Sequence, residues 1–135
     1  PATLYLSTGL IYTPGYLTWP QVRELSAAGW DIASHTVTHP HLPELSKQAQ
    51  REEILAARAR IEQELGKPAN TFAYPYGDYN RKTLRILRKA GFRYAFTTID
   101  GWASSDQPPL ELHRVVVDSQ KPFEDWVHQM TEPNL

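Results

Sequence analysis

The sequence predicts an α/β fold built around a mostly parallel sheet, and three observations carry that expectation. Short β-prone runs alternate with longer stretches of helical periodicity, the order that a parallel sheet with right-handed crossovers requires. The phrases Ala28-Gly29-Trp30 and Ala90-Gly91-Phe92 mark one junction twice: a helix ends on glycine and an aromatic residue opens the next strand. The two loops richest in reactive side chains, His35 to Leu42 and Pro75 to Asp78, each follow a strand-like run, and parallel α/β folds set their chemistry at C-terminal strand ends.

In chain order, Thr3 to Ser7 is β-prone and begins almost at Pro1, which predicts that part of a first β/α segment is missing. After the Thr13-Pro14-Gly15 turn, Thr18 and Gln21 have capping-box spacing, Trp19, Val22 and Leu25 form an apolar stripe, and Gly29 closes a helix. Trp30 to Ser34 is the next strand. Ser46 caps a long helix with Ile54, Ala57, Ile61 and Leu65 on its inner face, stopped by Gly66 and Pro68. Its charged face reads as solvated surface. Thr71 to Tyr74 is a third strand, Pro75 to Asp78 a turn, and Asn80 the cap of a helix running through Leu84 and Leu87 to Gly91. Arg93 to Thr98 is a fourth strand, Asp100 to Leu110 a polar loop, and Val115 to Val117 a last buried strand. Phe123, Trp126, Val127 and Met130 give a closing helix its stripe, and the tail from Glu132 reads as frayed.

At 135 residues and 41% apolar composition the chain reads as one domain, residues 1–135, with enough apolar residues for a core and no run long enough to span a membrane. A net charge of −1 and a pI near 6.6 give no attraction to nucleic acid or anionic lipid and favour a neutral substrate. The basic run Arg81, Lys82, Arg85, Arg88, Lys89 and Arg93 comes with no nucleic-acid motif. Without cysteine there is no disulfide, thiolate nucleophile or thiolate metal ligand.

Potential metal ligands crowd into Trp30-Asp-Ile-Ala-Ser-His-Thr-Val-Thr-His-Pro-His-Leu42. His35 and His39 are spaced i, i+4, which on a single helical turn puts both imidazoles within reach of one divalent ion, zinc first. Pro40 disfavours helix at His39 and ends the turn there. Two loop histidines bonded to the backbone remain the other reading of the spacing. His41 reads as a supporting or exposed residue, and Tyr74, Tyr76, Tyr79 and Trp102 read either as sugar-facing or as packed aromatics.

His-Thr-x-x-His followed by Pro-His-Leu, a long helix and Phe72-Ala-Tyr-Pro-Tyr-Gly77 resembles the polysaccharide deacetylase family, carbohydrate esterase family 4 with the NodB-homology domain. The resemblance implies an incomplete, distorted (β/α) barrel and hydrolytic deacetylation of an N-acetylated amino-sugar polysaccharide or oligosaccharide. It implies a divalent metal held by His35 and His39, a bracing role for Thr36, and an oxyanion donor in the backbone N–H of Tyr76. Pro75, Tyr76 and Trp102 are the implied sugar contacts. Leu112-His113 matches the pair that carries the family's general acid. Ala73 stands where the family usually has Arg, a variation that resembles the poly-N-acetylglucosamine deacetylases.

The family's Asp-Asp motif, source of base and third ligand, has no match in the chain. Asp31 is too far from His35 to replace it, at about 3.3 Å per strand residue; Asp78 and Asp100 are the loop carboxylates that could approach the site as a replacement base. The expectation is therefore a domain lacking its N-terminal β/α segment and impaired on its own, with a catalytically inactive glycan- or metal-binding module as the alternative. An extracellular or cell-envelope location is implied by the resemblance. Self-association through the truncated sheet edge at Thr3 to Ser7 is expected from unpaired strand groups.

Overall fold

A computed structural model of the chain describes residues 2–131. Its strands are β1 (Thr3–Leu6), β2 (Asp31–Ser34), β3 (Thr71–Ala73), β4 (Tyr94–Asp100) and β5 (Leu112–Arg114). They form one parallel sheet in the order β1-β2-β3-β4-β5. Helices α1 (Trp19–Ala27), α2 (Lys47–Leu65) and α3 (Arg81–Ala90) make the first three crossovers. The β4 to β5 connection is a loop, and α4 (Phe123–Thr131) closes the described chain. β1 and β5 are the sheet's edges, so the barrel is incomplete. The sheet nevertheless curls: the rings of Tyr5 on β1 and Phe96 on β4, three strands apart, meet edge-on at 6.0 Å across the concave face.

The predicted caps account for the helix ends. Gln21 accepts from the Thr18 N–H at 2.8 Å, Ser46 from the Ala49 N–H, and Asn80 from those of Lys82 and Thr83. Gly66 and Gly91 end α2 and α3 at φ of +65° and +78°, a left-handed turn that costs glycine no Cβ clash. The convex face is the core. Leu6, Trp19, Val22, Ile32 and Ile61 pack under α1 and α2, and Ile54, Phe72, Tyr74, Leu87 and Ala95 under α2 and α3. Fully burying one such aliphatic side chain stabilises by about 1.5–3 kcal/mol.

Two expectations at the C-terminal side are corrected. The last strand is Leu112–Arg114, not Val115 to Val117; Val116 and Val117 are 49% and 62% exposed because β5 is an edge whose chain leaves the ladder after Arg114. The closing helix forms, but no residue on it is buried, and Phe123 is 69% exposed. The tail from Glu132 lies outside the described residues.

Candidate functional site

Both reactive loops lie at C-terminal strand ends, His35 immediately after β2 and Pro75 just past β3. The half-buried His35 ring sets Nδ1 2.6 Å from the Ala73 carbonyl oxygen. A carbonyl only accepts, so Nδ1 carries the proton and Nε2 of the neutral ring is left with a free lone pair. Burial holds this imidazole below its ordinary pKa; the charges of His39 and Arg114 act in the same direction and the Ala73 bond opposes them. The His39 ring stands edge-on to it, centroids 4.7 Å apart.

The i, i+4 spacing does not act through a helical turn, as the sequence analysis expected. Thr36 and His39 both have positive φ, +68° and +62°, so two left-handed residues fold the loop back and bring the rings together. Its polar groups are satisfied outside any helical pattern. The Thr36 hydroxyl donates to the His35 carbonyl at 2.5 Å and accepts from the His39 N–H at 3.0 Å. Ser7 Oγ donates to the same carbonyl at 2.8 Å, and the Gly9 N–H reaches the Val37 carbonyl at 2.8 Å. From the other side, Glu53 on α2 accepts the N–H groups of Val37 and Thr38, each at 2.9 Å, and the Thr38 hydroxyl at 2.7 Å.

Tyr76 also has positive φ, +58°, in a turn where Pro75 is buried. Its ring meets His39 edge-on at 4.6 Å and stacks on His41 at 3.9 Å and 9°. His41 Nδ1 in turn lies 2.5 Å from Asp78 Oδ2. A groove of about 620 Å³ opens between β1, the loop after it and the histidines, with Tyr5, Leu6, Tyr16, His35, His39 and Tyr76 among its walls. Burial pushes the Tyr5 hydroxyl up to about 12, Arg114 opposing and Asp31 adding, so it stays a neutral donor.

Other residues singled out from sequence lie elsewhere. Tyr74 is buried, donates to the Leu110 carbonyl at 2.6 Å and stacks on Tyr79, so both pack. The Trp102 ring, 39% exposed, belongs to the loop between β4 and β5, where its carbonyl accepts from Gln107. His113 is central in β5; its N–H donates to Gln107, its ring lies by Gly101, and no ring contact joins it to His35, His39 or Tyr76. Asp100 accepts the Val116 N–H.

Three contributors escaped the sequence reading. The Ala73 carbonyl and Glu53 contact the loop from 38 and about 15 positions away, with no local pattern linking them to it. Arg114 carries no motif of its own, yet strand alternation gives it the concave face, with its guanidinium 6.0 Å from the Tyr5 ring.

The donor set fits a divalent metal in part. Two imidazoles at one mouth, one with its tautomer fixed by a carbonyl, match the usual histidine ligand with its outer partner. Among the described residues no group of three His, Cys, Asp or Glu gathers there, whereas catalytic zinc takes three protein ligands.

A family whose description is polysaccharide deacetylase matches residues 1–95. A Bacillus subtilis protein named as a polysaccharide deacetylase, YxkH, is 34% identical over 86% of this chain and 42% of its own length. Poly-beta-1,6-N-acetyl-D-glucosamine N-deacetylase of Staphylococcus aureus is 26% identical over 94% of this chain and 48% of its own. The chain thus spans less than half the length of these curated relatives. Among solved structures, the Streptococcus pyogenes deacetylase PplD in complex with acetate superposes with a TM-score of 0.91 at 30% identity, over 97% of this chain and 58% of that one. A Bacillus cereus polysaccharide deacetylase gives 0.87 at 26%, over 97% and 42%.

Proposed function

Because this chain belongs to the polysaccharide deacetylase family, we propose that it forms the histidine side of a metal-dependent centre that hydrolyses acetyl groups from N-acetylated amino-sugar polysaccharide or oligosaccharide, at the cell envelope or outside the cell. The observation that carries this reading is the Ala73 carbonyl on His35 Nδ1, which leaves Nε2 bare at the groove beside His39. His35 and His39 would hold the ion, zinc first, and a third donor besides the described residues would complete the shell. Such a metal, when bound, polarises the acetyl carbonyl and acidifies water. The chain's own residues position the substrate: Tyr76 offers its exposed ring to the sugar and its backbone N–H to the oxyanion, and Pro75 fixes that turn. The neutral Tyr5 hydroxyl donates into the groove. Neither Trp102 nor His113 lines this groove. A neutral groove wall with aromatic rings suits an uncharged glycan, and the named activity of the Staphylococcus aureus relatives supports a poly-N-acetylglucosamine-like substrate.

A second reading, a glycan- or metal-binding module without turnover, is favoured by one observation: no third metal donor stands near the histidine pair among the described residues. Zinc calorimetry with parallel acetate release separates the two. The 135-residue chain should bind zinc weakly, lose that binding in a His35→Ala, His39→Ala double variant, and release little acetate. Binding should weaken as pH falls below the ordinary imidazole range towards the lowered value of His35, where protons compete for its free nitrogen. A form extended upstream by an Asp-Asp-bearing segment should gain both affinity and turnover. Equal affinity in the double variant sinks the metal assignment; tight zinc without turnover in the extended form favours the binding module.

A further inference from the structure

We propose that Glu53 is a positioning residue for the His35–His39 loop, resting on the reading of those histidines as metal ligands. The N–H groups of Val37 and Thr38, successive in the chain, find no backbone acceptor among the described residues and converge on one oxygen, Glu53 Oε2, at 2.9 Å each. The other oxygen, Oε1, accepts the Thr38 hydroxyl at 2.7 Å. A carboxylate is the side chain that fits three donors at once, because it accepts on both oxygens and charge-assisted bonds are the strong ones.

The location gives this brace its consequence. The loop is bent by Thr36 at φ +68° and His39 at φ +62°, conformations that a β-branched residue and a residue before proline hold only when their surroundings impose them. Ser7 and Gly9 fasten one side of the bend through the carbonyls of His35 and Val37. Glu53 fastens the other side through the amides, and it does so from α2, whose neighbouring Ile54 is fully buried. The two faces of the peptide chain between the histidines are therefore tied to different elements, and the spacing of the rings follows from both ties. Glu53 touches neither ring; it acts through the backbone that carries them.

Outer partners of metal ligands typically change affinity by about 10- to 100-fold when removed. Glu53→Ala in the full chain should lower zinc affinity by about that factor. Glu53→Gln should keep affinity within about threefold of the parent, since its amide oxygen still accepts both N–H groups and its NH2 can donate to the Thr38 hydroxyl. Hydrogen exchange provides a metal-free readout: the Val37 and Thr38 amides should lose protection in Glu53→Ala and retain it in Glu53→Gln, with the core amides of α2 unchanged in both. Unchanged zinc affinity and unchanged Val37 and Thr38 protection in Glu53→Ala overturn the proposal. So does an equal fall in both variants, which would make the effect one of charge and not of position. If the parent binds zinc no better than its double-histidine variant, the metal reading fails by itself, and exchange at the two amides alone then decides whether Glu53 holds the loop.

Discussion

At the scale of single residues, the chemistry of the site is set by backbone groups as much as by side chains. The Ala73 carbonyl chooses the His35 tautomer, and burial depresses the ring's pKa. The sign of the consequence is fixed: below about 6.5 the unfolded imidazole takes up a proton that the folded one refuses, so protons favour the unfolded chain. Stability from this group is fully present above the unfolded pKa and is lost as pH falls towards the lowered folded value. In metal-free protein, denaturant midpoints should therefore rise from pH 5 to 7, and His35→Gln should flatten that rise. An equally steep rise in the variant would assign it to other groups. His35, His39 and Tyr76 could be picked from the sequence because imidazoles at short spacing and a Pro-Tyr-Gly turn are local signals. The Ala73 carbonyl, Glu53 and Arg114 could not, since a carbonyl has no letter of its own and the others arrive by the register of a distant helix and an edge strand.

At the scale of elements, caps and stripes were legible wherever local chemistry decides. Thr18 with Gln21, Ser46 and Asn80 all mark helix starts, and Gly66 and Gly91 mark ends. Misreadings arose where tertiary partners decide. Val115 to Val117 has strand composition, but it follows an edge strand, and among the described residues no further strand covers it. The turn from Pro75 to Gly77 shows the reverse case, in which a short element is determined by what presses on it. A Cβ on Gly77 would collide with the Thr98 side chain, and the residue sits at φ +75°. Gly77→Ala is expected to cost roughly 1–3 kcal/mol in denaturant unfolding from backbone strain, with the clash adding to it, and to displace Tyr76 from its stack on His41. An unperturbed aromatic signal for Tyr76 in the variant would show that the turn tolerates the methyl group.

At the scale of the whole molecule, parallel α/β architecture followed from the alternation of strands and helices and the open barrel from a first strand that begins almost at Pro1, whereas the curvature did not. That depends on how strands splay, seen in the Tyr5 to Phe96 contact. Among the described residues β1 is an edge strand of four residues that pairs on one side only, a template for another strand. Sedimentation across micromolar concentrations should show reversible self-association, weakened by Tyr5→Pro, which leaves a ring in the strand but removes an N–H. A strictly monomeric boundary throughout would count against it. The strand order also bears on how the protein is made. Each strand pairs with the one translated just before it, so every β/α unit has a place to dock as it leaves the ribosome. His35 is the exception: its carbonyl partner lies 38 residues further along, roughly two to eight seconds later at 5–20 residues per second. During that interval the imidazole is free to carry its proton on either nitrogen, and the nascent chain has its histidines before it has the group that aims them.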